Sequence, residues 1–361
     1  MLPLLLGLAA AAGPAPSLPP LASGDGIAAV VAGASGVWSL GAPSARPRPR
    51  LSSVFVSLAV RPDWNASRWA TLVGDLKAIQ VDNIILADSV TESEAWYPSK
   101  IPGLTHASAD VVGMALEAAQ KGGLTVYAGM LLPANWFHHG AMNATYLRQL
   151  TARENAVASE LHSLYGEAYK GTLAGFYHAA EVYSTCCFSK TQRCDAAHVQ
   201  ALASMLEPTG QLIHSLGPYD YVIAPFAKNV SALETTWWAS LLQLTPSVDI
   251  VAFQDGVGVS AGTRSPQAAS ELIKAVSAAV SQQKNMSMWT DIEIFSHPTY
   301  SVAPTKRFLS QLELEAQHVS GVTIWEFTAY MDPHGCSESK RADCLRLYND
   351  YRRYLAGGRP A

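Results

Sequence analysis

From residue 51 onward the chain alternates two hydrophobic patterns. Short runs of consecutive apolar and β-branched residues are followed by longer stretches in which apolar residues recur every three or four positions. The runs read as strands at 53–60, 83–87, 124–131, 171–180, 220–225, 248–253, 286–294 and 322–327. The intervening stretches carry helical spacing, as in Trp69, Leu72, Val73, Leu76 and Ile79. Further helices are expected over 109–120, 147–165, 198–216, 232–244, 266–283, 305–318 and 345–354. Gly122-Gly123 supplies a stop signal for one of them, and Pro266 is a fitting first-turn residue for another. Strands apolar on both faces need helices on both sides or on the outside of a closed sheet. The strict alternation of eight strands and eight helices predicts a (β/α)8 TIM barrel, an α/β fold, over residues 51–358. An open doubly wound sheet would need a glycine-rich phosphate turn after the first strand, and Val60-Arg61-Pro62-Asp63 is not one.

The first fifty residues break this pattern. Leu2 to Ala12 is almost entirely Leu and Ala, so residues 1–17 read as a signal peptide. An apolar tail without that role is the alternative. Residues 18–50, rich in Gly, Ala, Pro and Ser, read as a low-complexity arm. Secretion is therefore expected. No later run reaches the roughly 18 apolar residues of a membrane-spanning helix, so membrane insertion is not. Four Asn-X-Ser/Thr sequons, at Asn65, Asn143, Asn229 and Asn285, fit a secretory route. The five cysteines fall in two groups. Cys336 is expected to pair with Cys344, and Cys194 with Cys186 or Cys187.

Composition narrows the partners. The chain is 49% hydrophobic and 15% charged, with a formal net charge of -4 and no basic stripe, which argues against nucleic acid. No nucleotide, metal or serine-hydrolase motif occurs, and no cofactor is expected.

In a barrel of this kind chemistry sits at the carboxyl ends of the strands. Those ends are rich in acids and aromatics. Asp88 follows the second strand, Trp136 the third, and His178 and Glu181 the fourth. Gln254 and Asp255 follow the sixth, Asp291 and Glu293 end the seventh, and Trp325, Glu326 and Tyr330 lie at the eighth. Glu181 and Glu293 stand three strands apart, so they can face each other across the mouth. Two carboxyls flanking one bond are the requirement of glycoside hydrolysis, at about 5 Å for retention and about 6.5–9.5 Å for inversion. Trp289, Asp291 and Glu293 alternate onto one strand face, and idle charges there would be costly. Asp88, Trp96, Trp136, His178, Gln254, Asp255, Trp325, Glu326 and Tyr330 are the candidate substrate contacts. For each, a structural role is the competing reading: salt bridging for Glu326, gap filling for the aromatics. Gly256 and Gly258 read as turn glycines.

The segments LTVYAGM at 124, GFYHAAEVY at 175, YVIAPF at 221, VAFQDGVGV at 251, WTDIEIF at 289 and GVTIWEF at 321 resemble a family of secreted or periplasmic proteins. It is known as domain of unknown function 4434 and is described as a TIM-barrel family of glycoside-hydrolase type. The resemblance covers residues 51–330 and is most specific at Gln254-Asp255-Gly256-Val257-Gly258. The glutamates also resemble those of the large retaining glycosidase superfamily. That resemblance implies Glu181 as acid/base and Glu293 as nucleophile, acting on a polysaccharide or glycan. Where that superfamily has Asn-Glu at the fourth strand, this chain has Ala180-Glu181, so His178 or Asp255 would have to replace the Asn. A non-catalytic carbohydrate-binding protein on a degenerate barrel is the alternative function.

Overall fold

A computed structural model describes residues 48–61, 63–139, 143–184, 195–227, 232–260 and 264–358. The expected leader, the arm up to residue 47, the sequon at Asn229 and the cysteines 186, 187 and 194 lie outside the described residues.

Eight parallel strands form one sheet: β1 Ser53–Val56, β2 Asn83–Leu86, β3 Thr125–Gly129, β4 Leu173–His178, β5 Asp220–Ile223, β6 Ile250–Gln254, β7 Ser287–Glu293 and β8 Gly321–Trp325. They follow one another in chain order around the sheet. Closure comes from Ser52, whose N–H donates to Val322 O at 2.9 Å while its hydroxyl accepts the Val322 N–H at 2.9 Å. The expected TIM barrel is therefore the observed fold.

Eight helices follow the strands: α1 Ala66–Ala78, α2 Val111–Gly122, α3 Ala144–Tyr165, α4 Ala196–Leu216, α5 Ala232–Leu244, α6 Pro266–Val280, α7 Thr305–Glu315 and α8 Arg341–Leu355. Their starts are chemically marked. Asn65, Asp110, Asn143, Asp195 and Ser265 each accept a backbone N–H of the first turn. Gly123 closes α2 in the left-handed conformation, φ 71°.

Side-chain alternation splits the core in two. Phe55, Ile85, Tyr127, Tyr177, Val222, Ala252 and Trp289 point into the barrel. Their odd-even partners, such as Val54, Ile84, Phe176, Phe253 and Ile292, pack outward under the helices. Trp289 fills the interior floor edge-on to Tyr127, at 5.9 Å between ring centroids. It fits because Gly321 opposite has no side chain; a Cβ there would lie 2.6 Å from the indole.

The first strand stops at Val56 rather than at Val60. The N–H groups of Leu58 and Ala59 leave the ladder and donate to the Asp88 carboxylate at 3.1 and 2.8 Å. Cys336 and Cys344 are joined as expected. No helix among the described residues is long and apolar enough to cross a membrane.

Candidate active site

Alternation along β7 continues upward from Trp289 and sends Asp291 and Glu293 into the barrel, both almost wholly buried. Along β4 the inward series Tyr177, Ala179 leads to Glu181, whose side chain keeps one edge open to solvent. On β6 the inward residue at the rim is Gln254, which stands in register with Asp291. Its amide donates to Ala224 O at 2.9 Å and to Glu181 Oε2 at 3.3 Å. Trp325, in register with Glu293 on β8, is half-buried and lies 5.3 Å from the Phe55 ring. Glu181, Glu293, Gln254 and Trp325 are thus brought together at one mouth.

The loop after β6 completes the surroundings of Glu293. Gly256 turns it in the left-handed region, φ 64°, as a turn glycine should. Gly258 has a different role from the one its sequence suggests. A Cβ there would come within 2.8 Å of Glu293 Cβ and 3.0 Å of Oε2. Its absence lets the next N–H, of Val259, reach Glu293 Oε2 at 2.6 Å.

Burial raises the Glu181 carboxyl to about 7, with the Gln254 amide pulling the other way. Burial and then the charge of Asp255 raise Glu293 to about 8. The Val259 N–H and Arg264 oppose that rise, and the charge of Glu181 adds to it. Asp291 is pushed well above the ordinary range by burial and by Asp255, Glu293 and Glu181. The site therefore holds protons on carboxyl groups near neutral pH, the state a general acid requires. Among the described residues no group of three or more His, Cys, Asp or Glu could hold a metal ion.

Several expected substrate contacts are placed elsewhere. His178 is even-numbered on β4 and so points outward, fully buried, with Nδ1 3.0 Å from Glu154 of α3. Asp255 follows Gln254 and therefore also faces outward, toward α7. Neither can take the place of the superfamily Asn. Asp88 is buried and gathers Ser57 Oγ, two backbone N–H groups and Trp96 Nε1 at 2.9 Å, so Asp88 and Trp96 brace the loops after β1 and β2. Trp136 is buried and donates its indole N–H to Glu181 O at 2.7 Å, holding that residue's backbone. Glu326 is buried and caps the short helix Phe327–Tyr330 through the Ala329 N–H, and it also accepts from Thr328. Tyr330 is buried against Phe295, with the ammonium of Lys340 4.2 Å from its ring centre.

One site residue carried no sequence signal. Tyr300 has φ 51°, stacks on Phe295 at 5.9 Å and feels the charge of Glu293. An aromatic residue in the left-handed region is uncommon and marks a constrained loop. Nothing in the local sequence announces that conformation.

The chain is similar in structure to a protein of Bacteroides thetaiotaomicron provisionally named an alpha-L-fucosidase, with TM-score 0.72, 18% identity, and coverage of 86% of this chain and 96% of that one. It is similar also to an endo-1,4-beta-mannanase from Rhizomucor miehei, with TM-score 0.54, 13% identity and coverage of 86% and 95%. A beta-glucosidase from Thermotoga maritima gives TM-score 0.51 and 10% identity, over 81% of this chain and 87% of that one. These likenesses show the barrel fold. No curated protein matches the chain in sequence. Residues 54–337 match the family described as Domain of unknown function (DUF4434), and the chain belongs to that family.

Proposed function

We propose that the protein is a retaining glycoside hydrolase acting on O-glycosidic bonds of a polysaccharide or glycan. The observation that carries this reading is the pair of carboxyls at the mouth of the barrel, half-buried Glu181 and buried Glu293, both raised above the ordinary glutamate range. Glu181, raised to about 7, is suited to give its proton to the leaving oxygen. Glu293, in its ionised form, attacks the anomeric carbon as the bond to that oxygen breaks. Glu181 then takes a proton from water, whose oxygen displaces Glu293 and releases the sugar. The productive form carries a proton on Glu181 and none on Glu293. Trp325 offers a ring face beside Glu293, and Gln254 offers an amide beside Glu181, for the sugar hydroxyls.

The test is a panel of aryl glycosides with wild-type protein, Glu293→Gln and Glu181→Gln, together with trapping by 2-deoxy-2-fluoro glycosides. A covalent adduct on Glu293, lost turnover in Glu293→Gln and retained configuration in the product are expected. Unchanged turnover in Glu293→Gln would remove it from the nucleophile role.

We infer also that the protein is secreted, with residues 1–17 removed and the sequons glycosylated. Asn65, Asn143 and Asn285 are exposed, and the helix caps made by Asn65 and Asn143 use Oδ1, leaving Nδ2 for a glycan. Mass spectrometry of the protein from a eukaryotic host checks both points; an intact leader on the exported chain would refute the first.

A further inference from the structure

Behind the wall that carries Glu293 lies a second set of polar groups, sealed from solvent. Asp255 leaves the end of β6 on its outer face. Its N–H continues the ladder by donating to Asp291 O at 3.0 Å. Its Oδ1 accepts the N–H of Glu293 at 3.2 Å and that of Val257 at 3.0 Å. Its Oδ2 accepts the side-chain amide of Gln311, one turn before Glu315 on the same face of α7. Glu315 Oε2 takes the hydroxyl hydrogen of Thr290 at 2.5 Å. Glu315 Oε1 receives no donor among the described residues, and the carboxyl is in hydrogen-bond contact with that of Asp255. Asp255, Gln311, Thr290 and Glu315 are all fully buried.

Two carboxyls in contact without a cation between them need a proton, because two acceptors cannot form a hydrogen bond. Asp255 already accepts from three donors that favour its charged form, whereas Glu315 has one. The proton therefore belongs on Glu315. We infer that Glu315 is a neutral carboxylic acid that donates its hydrogen bond to an ionised Asp255, and that Asp255, so held, is the positioning residue that fixes Glu293 and tunes its charge. This rests on the catalytic reading of Glu293.

The arrangement links the two faces of the wall. Asp255 grips the backbone N–H of Glu293 from behind, so the rotation of that residue into the barrel is set from outside. Its negative charge also opposes ionisation of Glu293 through the wall. The other charged or titratable groups facing Glu293 are Glu181 after β4, Asp291 on its own strand, Arg264 after β6, Arg307 on α7, and Tyr300. Arg307 donates to the carbonyl oxygens of Glu293 and Phe295 at 3.0 and 2.6 Å, holding the backbone rather than the carboxylate.

The test reads protonation, not turnover. In protein with carbon-13 glutamate carboxyls, Glu293→Gln assigns the Glu293 signal, and its titration is followed in wild type and Asp255→Asn. Asn keeps an acceptor for both N–H groups but has no charge. The acid dissociation constant of Glu293 is expected to rise about tenfold or more in Asp255→Asn, the scale of one unit charge at close range in a protein. Infrared spectra of wild type and Glu315→Gln, whose amide conserves volume and donor, are compared at pH 7 for the carbonyl band of a protonated acid. Loss of one such band in Glu315→Gln is expected. No loss of that band, or a Glu293 titration unmoved in folded Asp255→Asn, would overturn the inference. If Asp255→Asn does not fold, the infrared comparison alone decides. Failure of the catalytic reading looks different: Glu293→Gln would then turn over glycosides while both spectroscopic results stood.

Discussion

Replacing Gly258 by Ala perturbs Glu293 while leaving that residue itself unchanged. The added Cβ would sit 2.6 Å from Phe295 O and 2.8 Å from Glu293 Cβ, so the loop must retreat by several tenths of an ångström or more. That retreat stretches the 2.6 Å bond from the Val259 N–H to Glu293 Oε2. A hydrogen bond to a charged group contributes about 1.5–3 kcal/mol. Because it favours the ionised carboxylate, losing it raises the Glu293 pKa above its starting value of about 8. At 1.36 kcal/mol per unit the rise is about 1–2 units. The ionised fraction at neutral pH then falls about 10- to 100-fold, and kcat/KM with it. The assay uses dinitrophenyl glycosides, whose leaving group needs no proton, so the acid limb of kcat/KM reports Glu293 alone. In the wild type that limb should lie near 8, and in Gly258→Ala it should move to higher pH. A folded variant whose acid limb stays in place or moves to lower pH would refute the reasoning.

Gln254→Ala removes the amide beside Glu181; it should raise the Glu181 pKa, since that amide favours the charged form, and so raise kcat/KM for unactivated substrates at alkaline pH. Stability should fall with rising pH. Glu181 and Glu293 have folded-state values of about 7 and about 8 against an ordinary 4.5, so the folded state binds extra protons. Their contribution is fully present below 4.5 and is lost as pH climbs to about 8, which thermal melts across that range will check. Asp291→Asn should therefore stabilise, by about 1.4 kcal/mol for each pH unit above the ordinary 3.8 until the folded group itself ionises. Equal melting shifts at pH 4 and pH 7 would contradict this. Cys336→Ser opens a link between residues 8 apart in sequence and should cost about 2–3 kcal/mol in denaturant unfolding.

The two hydrophobic periods were enough to read the barrel, since each strand and helix buries a face whose spacing is dictated by backbone geometry. The same rule places Asp291 and Glu293 correctly, because Trp289 fixes which face is inside. It fails for His178 and Asp255 only when nearness to a strand end is allowed to outweigh parity. His178 shares its face with Phe176, and Asp255 with Phe253, both outward residues of the core. Parity alone would have sent both acid and imidazole to the helix side. Glu315 and Tyr300 were beyond reach for different reasons. Glu315 looks like a surface residue late in a helix until α7 is docked, and Tyr300 depends on a left-handed turn that no neighbouring glycine signals.

The absence of the Asn that the resemblance to retaining glycosidases calls for has a related explanation. Ala180 packs in the outer core, nearly fully buried, between the inward residues Ala179 and Glu181. An amide at 180 would have to displace that packing. Gln254 reaches the same carboxylate from β6, with its amide braced on Ala224 O. An amide that is already bound to the wall and to Glu181 has fewer free donors for a sugar hydroxyl than a free Asn would. If this pocket hydrolyses glycosides, its hold on the hydroxyl beside the reacting carbon must be shared between Gln254 and groups on other loops. The substrate pose is then tied to the β6 rim, the same rim whose outer side Asp255 grips.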